Sequence, residues 1–360
     1  DEATGDLLCE IVAADYVLGT EDPVEATALF FDTFDWRLFK KSLVLCRTGN
    51  EWTLRCRKTG ADRERLTSSS EPSFVWEIAD SPLKRRIASI VGVRRLLPVG
   101  EATFHTASYR VLNADSKTVV RLSATKVWAV HSDNFGDRIR HTLPGADAAL
   151  LDSHVVLRPV RGYGGHFRRL GGKFEEAGLT TGRWQDTFER VVSVTGKQPG
   201  VYSAKPDYRL KIGTRADEAT KEILRSTLAV IRANEEGIEA DWDIEFLHDF
   251  RTAVRRTRSA LSQIPGVFAP EVTQEYKEAF AQLGSRTNQL RDLDVYLLSE
   301  PDYRAMLPEA MRDHISPLFN YMRAQRGQVL CEVVDYLNTA SYSAMLATWE
   351  AFLLEPVPDP

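Results

Sequence analysis

The spacing of apolar residues changes near residues 196–215, and that change sets what the chain can fold into. Before it, short runs alternate: Trp52, Leu54 and Cys56 take every second place in residues 51–57, the period of a strand with two unlike faces. After it, apolar residues return every three or four places through 216–236, 245–264, 270–283 and 309–337, the period of helices that bury one side. A connection containing Gly and Pro, 196–206, lies between. The pattern predicts an α+β chain of two domains, a β-rich one over 8–212 and an all-helical one over 213–355. Its 360 residues are enough for two separate cores.

In the first part, 28–33, 42–46, 51–57, 103–112, 118–130 and 154–160 read as strands, with a hairpin turn at 113–116. Residues 82–97 read as a helix with Pro82 at its start and Pro98 and Gly100 as its stop; 167–177 and 183–194 also read as helices, and 131–146 as a loop. The basic stretch 158–173 (RPVRGYGGHFRRLGGK) lacks the strand and helix context of a phosphate loop and is expected to be a surface turn. Residues 284–294 read as a short segment between helices.

The most unusual helix is 245–265 (EFLHDFRTAVRRTRSALSQIP). At about 100° per residue, His248, Arg251, Arg255 and Arg258 fall within about an 80° arc, with Arg256 roughly 80° beyond it. Like charges at this spacing repel, so ordinary solvated faces mix signs. A one-sided row of guanidinium groups suits a ligand that is itself a row of negative charges, because each planar fork can hold two phosphate oxygens. A histidine in the row adds charge as pH falls. The formal net charge of -5 argues against a general nucleic-acid or membrane-surface binder, so any anion site must be a local concentration of charge. Four scattered cysteines fit reduced thiols better than a disulfide framework. Neither a membrane span nor a signal peptide is indicated, and a chain opening on Asp1 is expected to be a fragment.

His248, Arg251, Arg255, Arg256 and Arg258 in the form H-x-x-R-x-x-x-R-R-x-R, followed by Arg291, Asp292, Leu293, Asp294 and Val295 (RDLDV), resemble the CHAD family. Arg326 looks like the arginine on a later helix of that family. The resemblance implies a helical domain of two similar four-helix halves whose basic residues converge on a groove that binds inorganic polyphosphate. His248, Arg251, Arg255, Arg256, Arg258, Arg291 and Arg326 are thereby the candidate ligands. The second half's motif, H-x-x-R followed by K-x-L-R-Y, is not found in these residues, so the resemblance covers a first half and one or two further helices. Self-association is one way to supply the other wall.

Phe30, Phe31, Asp32 and Thr33 (FFDT), Leu38, the strand 43–47 and Trp52, Thr53, Leu54 and Arg55 (WTLR) resemble a CYTH domain, with 103–112, 119–122 and 203–210 fitting the same family. That resemblance implies an eight-stranded antiparallel tunnel that acts on triphosphates with Mg²⁺ or Mn²⁺ held by paired glutamates. Here Val12 and Ala14 follow Glu10 where Glu and Lys would stand, and 154–161 reads HVVLRPVR in place of an acidic strand. The implied reading is a degenerate domain with no metal site, no cofactor and no catalytic residues. Arg47, Arg55, Arg57, Arg121 and Lys126 either line the tunnel or face solvent. The expectation is a non-catalytic polyphosphate binder in the cytoplasm, associated with polyphosphate granules. The alternatives are a Mg²⁺- or Mn²⁺-dependent triphosphatase and a protein-interaction scaffold; nucleic acid is a weaker partner because the arginine row lacks interleaved aromatics.

Overall fold

A computed structural model describes residues 8–13, 15–129, 149–180, 182–205, 208 and 210–356. The loop read at 131–146 lies outside them. The chain forms two compact units, Asp1–Tyr202 and Ser203–Pro360.

The first unit is an eight-stranded antiparallel sheet with helices on both faces. After a helical turn at 8–12 (α1) come β1 (Val17–Thr20), β2 (Val24–Asp32), α2 (Arg37–Lys40), β3 (Leu43–Thr48), β4 (Glu51–Cys56), β5 (Asp62–Thr67), α3 (Pro82–Val91), β6 (Leu97–Leu112), β7 (Thr118–Ala129), β8 (Ala149–Pro159), α4 (Gly164–Glu176) and α5 (Trp184–Ser193). The strand order is β5-β4-β3-β2-β6-β7-β8, with β1 also on β6. Among the described residues, no pairing joins β5 to β8.

Period-two alternation decides which helix covers which face. Phe30, Cys46, Ala102 and Val127 point to one side, where Phe188, Val191 and Val192 of α5 pack on them. Leu45, Trp52 and Leu54 point to the other and meet Leu83, Ile87 and Val91 of α3. Val111, Val120 and Leu122, also on that second side, meet Leu170 and Phe174 of α4.

The register divides the five basic residues of the expected tunnel. Arg55 and Arg121 lie on the α5 side, Arg47 and Lys126 on the opposite side. Two of them pack against α5 and its surroundings: the Arg55 guanidinium lies 5.8 Å from the Trp184 ring, and Arg57 stacks 4.0 Å over Phe39 while pairing with Glu189 at 2.7 Å.

Three expectations for this unit are corrected. Pro98 and Gly100 do not stop a helix; they belong to β6. Pro98 sits where the β2–β6 register shifts between Phe30 and Phe31, a bulge at which a missing N–H is tolerated. Gly100 admits α5, since a Cβ there would stand 3.0 Å from Val191 Cγ1. The glycine-paired stretch at 164–173 is not a turn but most of α4, held by the burial of Leu170 and Phe174, which outweighs glycine's low helix propensity. Strand β5 went unread because its exposed and half-buried places are filled by Asp, Arg and Glu, leaving Leu66 as its one large apolar residue.

Asp32 ends β2 and starts α2 at once. Its buried carboxylate accepts from the backbone N–H groups of Thr33 (2.7 Å), Leu38 (3.0 Å) and Phe39 (2.8 Å). Burial pushes this carboxyl up to about 7, against the pull of those three donors. A carboxyl raised above its unfolded value stabilises the fold at low pH and loses that contribution as pH rises through the folded value. The sheet unit should therefore lose about 1.4 kcal/mol per pH unit from this group between roughly pH 5 and 7. Denaturant titrations at pH 5, 6 and 7 should show the slope in the parent and its absence in Asp32→Asn.

The second unit is helical: α6 (Ala216–Glu239), α7 (Ile244–Gln263), α8 (Pro270–Arg286), α9 (Asn288–Leu298), α10 (Glu300–Met306), a 3₁₀ stretch (Glu309–Ile315), α11 (Ser316–Leu337) and α12 (Ala340–Leu354). Leu224, Leu228, Ile231 and Ile238 of α6 are buried, as are Phe246, Phe250, Val254 and Leu261 of α7. Between these helices the hydroxyls of Thr227 and Thr257 hydrogen-bond at 2.8 Å. Trp349 of α12 is buried against Tyr276 and Phe280 of α8, ring centroids 4.3 and 5.6 Å away. The Lys221 ammonium donates to the carbonyls of Phe352 (2.7 Å) and Glu355 (2.9 Å), closing the end of α12.

Here two expectations change. Residues 284–294 are not a separate segment: Gly284 to Arg286 finish α8 and RDLDV lies within α9, the break falling at Thr287. The stretch 309–337 is a 3₁₀ turn followed by α11, because Pro317 fits only a first turn, where its missing N–H has no partner to lose.

Candidate anion-binding face of the helical unit

Helix α7 starts where Asp243 accepts from the N–H of Glu245 at 2.9 Å, a side-chain cap. Its apolar side is fixed by four fully buried residues, Phe246, Phe250, Ala253 and Val254. The basic stripe is thereby held outward, with His248, Arg255 and Arg258 exposed. At 1.5 Å per residue they span about 15 Å of helix. None of the three has a hydrogen-bond or ion-pair partner among the described residues. Opposite-sign neighbours would normally screen such a row, so its charge is available to a ligand.

The other candidates are placed differently. Arg251 is half-buried and committed to the protein: Nη1 donates to the Gly284 carbonyl (2.9 Å) and the Thr287 hydroxyl (2.7 Å), and Nη2 donates to Asn288 Oδ1 (2.7 Å). It fastens α7 to the break between α8 and α9. Burial draws its guanidinium below the usual arginine range; Asp292 opposes that pull, while Arg291 and Arg255 add to it. Those three cations therefore share one local field. Arg291 of α9 makes one long hydrogen bond, to the Ile244 carbonyl at 3.3 Å, which anchors it beside the first turn of α7 and leaves most of its fork unengaged. Arg256, on the flank, donates to the Ala204 carbonyl.

Arg326 of α11 is a clasp. Its Nη atoms reach both oxygens of Asp241 (2.8 and 2.6 Å), and Nε reaches Asp294 Oδ1 at 2.7 Å. The Asp294 side chain is 1% exposed. Burial pushes its carboxyl up, against the pull of Arg326; the two carboxylates in turn raise the Arg326 guanidinium beyond the ordinary arginine range, against burial, with the Asp241 bond the largest cause.

Sequence reasoning missed Thr287 and Asn288, the residues that hold Arg251. A Thr-Asn pair opening an apolar run is an ordinary helix-start signal, and it was there to be read.

The carboxylates beside α5 in the sheet unit offer a poor donor set for Mg²⁺ or Mn²⁺, which require several free oxygens. Glu189 is taken by Arg57, and Asp152 by Thr187 and Arg190. Among the described residues, no group of three or more His, Cys, Asp or Glu is placed so that it could hold a metal ion, and no helix is long and apolar enough to cross a membrane.

A helical array carrying a one-sided His/Arg row defines the class of the second unit. Residues 222–360 match the CHAD domain family, so this chain carries a CHAD domain. The antiparallel sheet ahead of it is consistent with a CYTH-like barrel. No curated protein matches the chain.

Proposed function

We propose that the helical unit binds inorganic polyphosphate without hydrolysing it, through His248, Arg255 and Arg258 on α7 with Arg291 of α9 at one end of the row. Arg251 positions this face rather than contacting ligand, and Arg256 and Arg326 are structural. The single observation that carries the reading is the exposed row of His248, Arg255 and Arg258 on α7, without hydrogen-bond or ion-pair partners among the described residues and set among arginines that do have partners. A linear polyanion lying along the row replaces its self-repulsion with charge-assisted hydrogen bonds. Association with polyphosphate granules in the cytoplasm follows from the same chemistry.

Calorimetric titration with polyphosphate of defined length, at two salt concentrations, tests this. Affinity should fall as salt rises, because each neutralised phosphate releases counterions. Replacing both Arg255 and Arg258 by Glu should weaken binding at least about tenfold, or about 1.4 kcal/mol, with the fold intact, since both side chains are exposed. Unchanged affinity in that variant would sink the assignment. Phosphate release from tripolyphosphate with added Mg²⁺ or Mn²⁺ would favour an enzyme instead.

A further inference from the structure

The sheet ends in two edge strands, β5 and β8, and they are built oppositely. Strand β5 carries charge at four consecutive places, Asp62, Arg63, Glu64 and Arg65, a device that keeps a foreign strand from adding to an edge. Strand β8 is 11 residues long. Between Asp152 and Arg158 it runs through Ser153, His154, Val155, Val156 and Leu157, with no Asp, Glu, Lys or Arg among them. Its inner edge pairs with β7 from Ala149 to Pro159. Among the described residues, no strand pairs with its outer edge.

Both faces of β8 are supported from within the chain. On one side Val155 and Leu157 pack towards Leu170 and Phe174 of α4. On the other, α5 is tied to the strand at Asp152, which accepts from Thr187 (2.5 Å) and Arg190 (3.1 Å), and Val156 and Arg158 beyond it are exposed. What is left open is the row of backbone N–H and C=O groups along the outer edge, which adds a strand when one of suitable sequence is offered. Arg158 stands directly opposite Arg121 of β7, a like-charge contact that destabilises a sheet. It has no hydrogen-bond or ion-pair partner among the described residues.

The charges of this edge select its occupant. An acidic residue lies at one end of the uncharged run and a basic one at the other, so an antiparallel copy of the same strand brings unlike charges together at both ends. Across a twofold axis normal to the sheet, each residue faces one that points to its own side. Centred on Val155, that pairing sets Asp152 opposite Arg158 of the second copy, and Arg158 opposite its Asp152. Centred on His154, Asp152 would face Val156; centred on Val156, His154 would face Arg158. Each oxygen of Asp152 already takes one bond and can accept another from a guanidinium.

We infer that the outer edge of β8 is a dimerisation edge. A second copy of this chain adds its own β8 antiparallel about Val155, so that two sheets become one, over a paired length of about 20 Å. The ion pairs at the two ends fix the register and give Arg158 the carboxylate it lacks within its own chain. This surface belongs to the sheet unit and does not rest on the reading of α7.

Sedimentation of the whole chain at concentrations up to about 100 µM tests the idea. A monomer–dimer equilibrium is expected. Arg158→Glu, which opposes two carboxylates at both ends, should raise the Kd of the dimer at least tenfold, and Arg158→Gln should raise it less. Neither change should lower the melting temperature of the monomer, because each removes the contact with Arg121. Register is read in a chain carrying Cys9→Ser and Cys331→Ser, with Ser153→Cys, Val155→Cys and Leu157→Cys added in turn. Only Val155 meets itself across the axis, so Val155→Cys alone should give a disulfide-linked dimer on mild oxidation, directly opposite residues being within disulfide reach. A chain that stays monomeric, whatever other strand it takes up, would overturn the proposal. So would a dimer indifferent to Arg158→Glu, or one that Val155→Cys does not link while Ser153→Cys or Leu157→Cys does.

Discussion

Replacing Arg326 by Met should lower the stability of the helical unit by about 3 kcal/mol, the low end of what removing one partner from a buried ion pair costs. Arg326 joins three elements: α11, which carries it; α9, through the buried Asp294; and the turn between α6 and α7, through Asp241. Asp241 is 43% exposed and can return to water, whereas Asp294 at 1% cannot. Asp294 Oδ2 already has no hydrogen-bond partner, so without Arg326 both carboxylate oxygens are buried without one, and only the field of Arg291 still favours the charge. It then takes up a proton, and the sign of the pH effect follows. A carboxyl raised above its unfolded value contributes stability at low pH that is lost as pH rises, so the deficit of the variant should be smaller at pH 5 than at pH 8. The double variant Arg326→Met with Asp294→Leu should recover much of the loss, since apolar replacement of a whole buried pair is often neutral. Thermal and urea unfolding of the parent, the single variants Arg326→Met and Asp294→Leu, and the double variant measure this. A Met variant as stable as the parent but with weakened polyphosphate affinity would make Arg326 a ligand and not a clasp.

That contrast marks where sequence reading of the site stops. Helix α7 is legible because its signals are local: apolar residues every three or four places, and Pro265 with Gly266 at its end; its cap, Asp243, was missed. The same periodicity placed His248, Arg255 and Arg258 on one stripe. It could not tell which cations were already taken. Arg251 is held by residues 33 to 37 places away, Arg256 by a carbonyl 52 places away, and Arg326 by Asp241 85 places away. Arginine looks the same in sequence whether its fork holds a phosphate or a backbone carbonyl. The sheet was legible where strands alternate apolar and polar, and missed where they do not: β5 is almost wholly charged, and the start of β6 runs through Pro98 and Gly100, which elsewhere end elements. Face assignment depends on register, and register is a property of strand pairs. This is why Arg121 reads in sequence only as lining a tunnel or facing solvent, while its place directly opposite Arg110 of β6 and Arg158 of β8 emerges from pairing alone.

The second large effect is expected at Gly237, two residues before the end of α6. A Cβ built there would stand 2.1 Å from Phe246 Cδ1 and 2.4 Å from Cε1 and Cγ, well inside contact distance. The obstacle is a ring 0% exposed at the start of α7, not the free end of a flexible chain, so a helix or the ring must move by more than an ångström. Overpacking of this kind costs about 1–3 kcal/mol, occasionally more, and the better helix propensity of alanine returns only about 1 kcal/mol. Because the obstacle is a buried ring, the cost is taken at the upper end of that range, and a net loss of about 2 kcal/mol is expected for Gly237→Ala, although the same change in an open helix would stabilise. Shortening the ring relieves the clash: Phe246→Leu alone opens a cavity and destabilises, but combined with Gly237→Ala it should be less harmful than the sum of the two, a coupling that a double-mutant cycle measures directly. Additive effects would mean that the two residues do not meet. The contact also reaches the candidate site, because Phe246 lies two residues before His248 and seats the first turn of the helix that presents the row. In Gly237→Ala the α7 stripe shifts against Arg291, whose hydrogen bond to the Ile244 carbonyl is already 3.3 Å long. Polyphosphate affinity should then fall in protein that is still folded, and the Phe246→Leu partner should restore part of it.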